Sequence, residues 1–300
     1  MQSLSEHAII YEPQGPKTIV GVVQIIHGMS EHQLRYAPLA RYLSANGYVV
    51  ITSDLRGHGD NVRSDNELGF FGDNAIAHLV GDIHEITLYI RDHYTGLPYI
   101  LLGHSMGTLI ASTYFKKYDN FVDGLFLSGM PSDNPARGIG KGIIALIQSL
   151  KGQYHRSKLI NNMCNGAFVK AFRSEGSDFA WLATDPEVYR KYEQDPKCGY
   201  IFTLNGFSTL LDLLGTTYSQ GSWIKKNLTV PIRLIAGSDD PVIGGKAGFQ
   251  KAEELFRKQG YTNVEAKLYP GQRHEIFNDT MHETVWAELL YEFNEIAVKD

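Results

Sequence analysis

Residues 99–118 read YILLGHSMGTLIASTYFKKY, and this stretch decides the fold. Tyr99 to Leu102 is a short apolar run of strand character. Met106 to Tyr118 has the composition of a buried helix, and Gly103-His104-Ser105-Met106-Gly107 lies between them. A sharp strand-to-helix turn forces the residue at its apex into strained backbone angles. Side chains two positions before and after it would collide where strand and helix nearly touch, so glycine is required at both. The pentapeptide therefore predicts a strand–turn–helix unit that presents the Ser105 hydroxyl at the carboxyl edge of a sheet.

The flanking sequence carries the same alternation outward. Ile19 to Ile26 (IVGVVQII) is a β-branched run expected of a strand buried on both faces, and it ends at His27-Gly28. Ala37 to Ala45 predicts a helix with Pro38 near its start and Gly47 beyond its end. Tyr48 to Thr52 predicts a strand that leads to Asp54. Ile76, Leu79, Val80, Ile83, Ile86 and Ile90 form one apolar stripe of a long helix that closes at Gly96-Leu97-Pro98. Val122 to Leu127 predicts a further strand.

Beyond Gly129 the rhythm lapses. Residues 131–226 are rich in Gly, Asn, Tyr and Phe, with short helical patterns at Ile143 to Leu150 and Leu210 to Leu214. Strands are expected again at Val230 to Ala236 and Val264 to Tyr269, and helices at Lys246 to Gln259 and Glu283 to Val298. The alternation predicts an α/β fold with a mostly parallel central sheet flanked by helices. Candidate functional residues lie on both sides of the break, so residues 1–130 and 227–300 are expected to form one core. Residues 131–226 are then a cap, far longer than an ordinary loop and so functional.

A serine hydroxyl is a weak nucleophile that needs a base within hydrogen-bond reach, itself oriented by a third group. With a serine on such a turn, the chain order is serine, acid, histidine. Downstream of Ser105 stand His155, His274 and His282. Only His274 directly follows a predicted strand, in Tyr269-Pro-Gly-Gln-Arg-His-Glu275. The turn Gly237-Ser238-Asp239-Asp240-Pro241 offers two acids. Acyl transfer also needs N–H groups aimed at an oxyanion. Met106 supplies one from the residue after the serine, and Met29 supplies the other, with Gly28 allowing close approach.

Composition excludes several classes. The 300 residues are 43% hydrophobic and 20% charged, which rules out a disordered chain. With 28 Lys and Arg against 33 Asp and Glu, net charge −5, there is no basic excess for nucleic acid. Cys164 and Cys198 have neither a disulfide framework nor metal-ligand spacing. His78, Asp82 and His84 read as a solvated helix face rather than a metal site, and His58 as a residue that orders a loop. No metal and no nucleotide motif is expected. The opening MQSLSEHAII lacks the features of a secretory signal, and Ile139 to Leu150 is too short to span a bilayer. A cytoplasmic protein with reduced thiols is the expectation.

His27-Gly28, Asp54-x-Arg56-Gly57-His58-Gly59, Gly103-His104-Ser105-Met106-Gly107, Gly237-x-x-Asp240 and Arg273-His274-Glu275 occur in that order. With them the chain resembles the α/β-hydrolases, specifically the monoacylglycerol lipase and lysophospholipase branch. Phe179-Ala-Trp-Leu182 and Tyr192-x-x-Asp195-Pro-x-Cys198-Gly-Tyr200 are similar to bacterial lysophospholipases. The resemblance implies a helical cap over Ser105 and selects Asp240, three residues after Gly237, as the acid. It implies cleavage of an acyl-chain ester through an acyl-enzyme without a cofactor. Gly28 and His104 are candidate substrate-binding residues. Apolar cap residues such as Phe168, Phe179, Trp181, Leu210 and Leu211 are candidates for an acyl pocket. The apolar face of Ile139 to Leu150, flanked by Lys141 and Lys151, is a candidate for transient contact with a lipid surface. Proline-specific aminopeptidases share the fold and triad but need an acidic anchor for the substrate amine, for which Glu175, Asp178 and Glu193 are candidates. A non-catalytic binding protein on the same scaffold is the remaining alternative.

Overall fold

A computed structural model describes residues 6–15 and 18–298, so the reading of MQSLSEHAII falls in part on residues 1–5, outside the described residues. Seven strands form one sheet: β1 (Ala8–Tyr11), β2 (Gly21–Ile26), β3 (Tyr48–Ser53), β4 (Tyr99–His104), β5 (Gly124–Ser128), β6 (Ile232–Gly237) and β7 (Val264–Tyr269). Their order is β1-β3-β2-β4-β5-β6-β7. All neighbours run parallel except β1, which pairs antiparallel with β3 at one edge. The order reverses between β2 and β4, and ligand sites in open α/β sheets lie at the carboxyl ends of the strands beside that switch. Ser105 and the His27–Met29 turn leave the sheet there.

The helices are α1 (Ala37–Ala45), α2 (Ala75–His93), α3 (Met106–Tyr118), α4 (Arg137–Lys151), α5 (Lys158–Ala171), α6 (Pro186–Gln194), α7 (Leu204–Tyr218), α8 (Gly245–Arg257) and α9 (His282–Ala297). Successive residues of β2 serve opposite faces of the sheet. Val22 and Ile26 join a core with α2, α3 and α8, while Val23 and Ile25 join a second core with α1 and α9. This double burial is why the strand reads as a continuous apolar run.

The elements between β5 and β6 are α4 to α7, interspersed with short 3-10 turns. They are not a free-standing layer. Ile144, Ile160, Phe202, Leu204, Phe207 and Leu213 are buried in the same core as α2 and α3. Only a small cluster, Ala180, Leu182, Tyr189, Tyr192 and Cys198, packs separately.

The structure differs from the sequence expectations chiefly here and at the ends of strands. β1 was not anticipated, because all four of its residues are half-buried and show no alternation. Helix α4 begins at Arg137 rather than Ile143, and α7 at Leu204 rather than Leu210. Helices α5 and α6 lie outside the sequence expectations, although each carries a start signal. Ser157 accepts from Ile160 N–H, and Asp185 accepts from Glu187 N–H with Pro186 at the first turn. No helix among the described residues is long and apolar enough to cross a membrane.

Candidate active site

Ser105 sits at the turn between β4 and α3 with φ 51° and ψ −121°. A non-glycine residue there carries strain of about 1–3 kcal/mol and persists only when its surroundings over-determine it. Here Ser105 N–H donates to Ser128 O at 2.9 Å, and Thr108 Oγ1 donates to Ser105 O at 2.6 Å. The two glycines are spatial necessities. A Cβ on Gly103 would lie 2.6 Å from Gly107 O, and one on Gly107 would lie 2.3 Å from Ile26 O.

Asp240 and His274 arrive from the turns after β6 and β7. Those turns touch so closely that a Cβ on Gly237 would lie 2.0 Å from Gln272 O. His274 Nδ1 is 2.9 Å from Asp240 Oδ2, and Asp240 Oδ1 accepts Val242 N–H at 2.8 Å. Both side chains are buried. Asp239 is exposed and accepts from Ser238 Oγ at 2.9 Å. Burial disfavours the His274 imidazolium, but the Asp240 carboxylate, backed by Glu275 and Glu31, outweighs it and holds the pKa above 6.5. With Nδ1 paired to Asp240, Nε2 is the free ring nitrogen.

Ser105 and His274 both line one cavity of about 960 Å3, with no hydrogen bond between them in this conformation. Such bonds in unliganded sites are often long and tighten only with substrate bound. His155 and His282 do not line the cavity, and His282 Nδ1 is engaged with Asp279 O at 2.7 Å. The Met29 and Met106 amides have no hydrogen-bond partner among the described residues. Gly28 N–H, by contrast, donates to Glu31 Oε1 at 2.5 Å, which leaves Met29 as the available donor of that turn. A Cβ on Gly28 would come within 3.1 Å of the Ser105 Cβ. His104 borders the cavity but is buried, its ring 4.7 Å from that of His274. Burial pushes its pKa down to about 3, so it stays neutral beside the His274 imidazolium. His58 is buried, and its Nε2 accepts Ser30 N–H at 3.3 Å.

One buried network behind the site escaped sequence reasoning. Arg35 donates to Glu31 Oε2 at 2.5 Å and to Glu275 Oε1 at 2.6 Å, with a second, shorter contact to Glu275 Oε2. Glu31 also accepts from Tyr36 OH at 2.8 Å. One guanidinium thus ties the turn bearing Met29 to the residue after His274, and its carbon lies 4.8 Å from the Tyr192 ring of the cap. Burial would raise the Glu31 pKa, yet Arg35 carries it down to about 2. The only sequence signal was the four-residue spacing of Glu31 and Arg35.

The cap supplies the upper walls of the cavity. Phe168, Phe179, Trp181, Leu210 and Leu211 line it, and the Trp181 ring lies 5.3 Å from His274. Phe202, Phe207 and Ile144 instead fill the shared core, and Phe172 lies under the Arg273 guanidinium. Glu175 pairs with Arg273, Glu193 accepts from Ser177, and of these three candidate anchors Asp178 alone lines the cavity, at its exposed rim. Asp82 pairs with Arg56 at 2.6 Å, and His84 stacks on Tyr118.

This sheet order, with a strained serine after β4, an acid after β6 and a histidine after β7, defines an α/β-hydrolase. The model of the family described as serine aminopeptidase, S33, matches residues 17–281, and the chain belongs to that family. It is 30% identical over 275 residues to the monoacylglycerol lipase of Mycolicibacterium smegmatis, covering 90% of this chain and 87% of that protein. It is 36% identical over 269 residues to phospholipase YtpA of Bacillus subtilis, covering 89% and 92%. The solved carboxyl esterase of Bacillus coagulans in complex with glycerol superposes with TM-score 0.86 at 27% identity, covering 97% and 94%. The chain is an α/β-hydrolase of the monoacylglycerol lipase branch, among the carboxylic ester hydrolases.

Proposed function

We propose that this protein hydrolyses the ester bond of single-chain acyl lipids of the monoacylglycerol or lysophospholipid type, through an acyl-enzyme on Ser105. The observation that carries the reading is the buried His274–Asp240 pair beside Ser105, in a cavity whose cap walls include Phe168, Phe179, Trp181, Leu210 and Leu211. A volume of about 960 Å3 suits a long ligand, at the top of the range of about 300–1,000 Å3 usual for ligand sites.

In this mechanism Ser105 Oγ attacks the ester carbonyl as its proton passes to His274 Nε2. Asp240 fixes the tautomer and stabilises the imidazolium, and the Met29 and Met106 amides hold the oxyanion. His274 then protonates the leaving glyceryl oxygen. Water, activated by the same imidazole, releases the fatty acid. His104 borders the cavity, and Gly28, which does not line it, lets the Met29 turn approach Ser105 closely. The reaction calls for no cofactor.

Turnover against esters from acetyl to palmitoyl, with monoacylglycerols and lysophospholipids, tests the substrate. A flat profile or a preference for acetyl overturns the lipid reading. Labelling of the wild type, but not of Ser105→Ala, by a fluorophosphonate tests the nucleophile and separates an enzyme from an inert scaffold. The aminopeptidase reading has weaker support, since of the candidate anchors Glu175, Asp178 and Glu193 Asp178 alone lines the cavity, at its exposed rim. Faster turnover of a prolyl arylamide than of a monoacylglycerol would establish it.

The outward face of α4 supports transient docking on a lipid surface. Ile139, Leu146 and Leu150 are 70%, 65% and 79% exposed, and Leu159 and Met163 of α5 are also exposed. An apolar face flanked by lysines is the composition of an interfacial helix. The two free cysteines suit a reducing, cytoplasmic setting.

A further inference from the structure

The turn that bears Met29 is fastened to the cap. Gly199 N–H donates to Ser30 O at 2.9 Å, Tyr192 OH to the same oxygen at 2.7 Å, and Ser30 Oγ to Tyr200 O at 2.8 Å. Beside this seam stand three side chains that the proposed reaction does not use. One ring nitrogen of His32, one carboxylate oxygen of Asp195 and Cys198 Sγ all lie within 4.8 Å of one another, with His32 Nε2 and Asp195 Oδ2 at 2.9 Å. His32 and Cys198 are buried, and the Asp195 side chain keeps 33% of its surface, enough to admit an ion.

The local fold orients these atoms in advance. Asp195-Pro196-Lys197-Cys198 is a turn closed by Cys198 N–H on Asp195 O at 2.9 Å. Lys197 N–H occupies Asp195 Oδ1 at 2.8 Å, so Oδ2 is the oxygen left for His32. A histidine–carboxylate staple between core and cap accounts for two members of the group. It does not account for the sulfur, which makes no hydrogen bond among the described residues.

We propose that His32, Asp195 and Cys198 form a binding site for a divalent cation of zinc-like chemistry, bridging the core and the cap. One imidazole nitrogen, one carboxylate oxygen and one thiolate, with water as the fourth ligand, is a donor set that zinc accepts. Bonds of about 2.0–2.3 Å place tetrahedral ligands about 3.5 Å apart, so the longest separation in the group shortens by about 1 Å on binding. Cys198 gives up its thiol proton to solvent as the S–metal bond forms. His32 binds through Nε2, so the proton that this atom directs at Asp195 moves to Nδ1 by way of solvent, and the net proton released per metal is that of Cys198. The site was invisible to spacing rules because His32 and Asp195 are 163 residues apart.

The test uses the full chain, stripped with chelator and desalted, then titrated with Zn2+ and, as a spectroscopic probe, Co2+. The expected result is one Zn2+ per chain with about one proton released, a rise in Tm, and a sulfur-to-cobalt charge-transfer band. Cys198→Ser abolishes the band, whereas Cys164→Ser keeps it. Asp195→Asn and Cys198→Ser each lower Zn2+ affinity by more than the roughly 10–100-fold that loss of an outer-shell partner costs. The wild-type band is read on the unaltered chain, so the test does not depend on any variant folding. Absence of that band, or Zn2+ affinity unchanged in Cys198→Ser, overturns the proposal.

Discussion

Replacing Gly107 with alanine probes the geometry that joins the Met29 and Met106 amides, the two proposed oxyanion donors. The added methyl would lie 2.3 Å from Ile26 O and 2.6 Å from His27 O, where real contacts stay at about 3.0 Å or more. Both obstacles are backbone atoms at the end of β2, so no side chain can swing aside. Helix α3 must withdraw from β2 by about 0.7 Å. Overpacking of this kind costs about 1–3 kcal/mol and, in a chain of this size, lowers Tm by only a few degrees. The catalytic effect is expected to be larger. Met106 N–H opens α3 and Met29 N–H follows β2, so the substitution widens the gap between the two amides. A misplacement approaching 1 Å can cost about 100-fold, and loss of one oxyanion donor about 100–1,000-fold. Steady-state hydrolysis of a soluble p-nitrophenyl ester should show kcat down about 100-fold with KM nearly unchanged. Gly81→Ala is the control, since nothing lies within 4 Å of the site of its new methyl. It should keep full activity and gain up to about 1 kcal/mol. If Gly107→Ala kept wild-type kcat with an unchanged Tm, the close approach of α3 to β2 would not be what that glycine serves.

Asp240→Asn leaves an oxygen for Val242 N–H but offers His274 the wrong hydrogen-bonding partner, so kcat should fall about 10,000-fold in the same assay with little change in Tm. The base must be neutral to accept the Ser105 proton, so kcat/KM should fall as pH drops through a value above 6.5, where the carboxylates hold His274. Glu275→Gln removes one of those charges and should move this acid limb to lower pH, an effect that a purely structural role for Glu275 would not produce. Ile139→Ser, Leu146→Ser and Leu150→Ser combined should weaken sedimentation with lipid vesicles on the order of 100-fold, at about 1 kcal/mol per partly inserted side chain, while soluble-ester turnover stays unchanged.

Elements fixed by local rules were legible one residue at a time. Met106–Tyr118, Ala37–Ala45 and Val264–Tyr269 have the bounds that their sequence patterns predict. Strand β1 was not legible, since an edge strand half-buried along its length has no period to read. The cap helices were blurred because α7 is buried against the core on one side and half-exposed on the other, which spreads its apolar residues beyond one stripe. Ser105, His274 and Met29 were named from turn chemistry and chain order, which left Asp239 and Asp240 open until the family resemblance chose Asp240. Arg35 was not, because a buried charge is recognisable only when its partners are in place, and Glu275 is 240 residues away.

By itself the sequence determined a serine on a strained turn and the glycines that the turn requires, because backbone sterics act over a few residues. Tertiary structure decided which protein groups engage the Met29 turn, how Arg35 couples it to the His274 loop and which cap residues face the cavity. It alone brought His32 to Asp195 and Cys198. Those outcomes depend on distances between segments far apart along the chain, and such distances exist only once the sheet has brought the segments together.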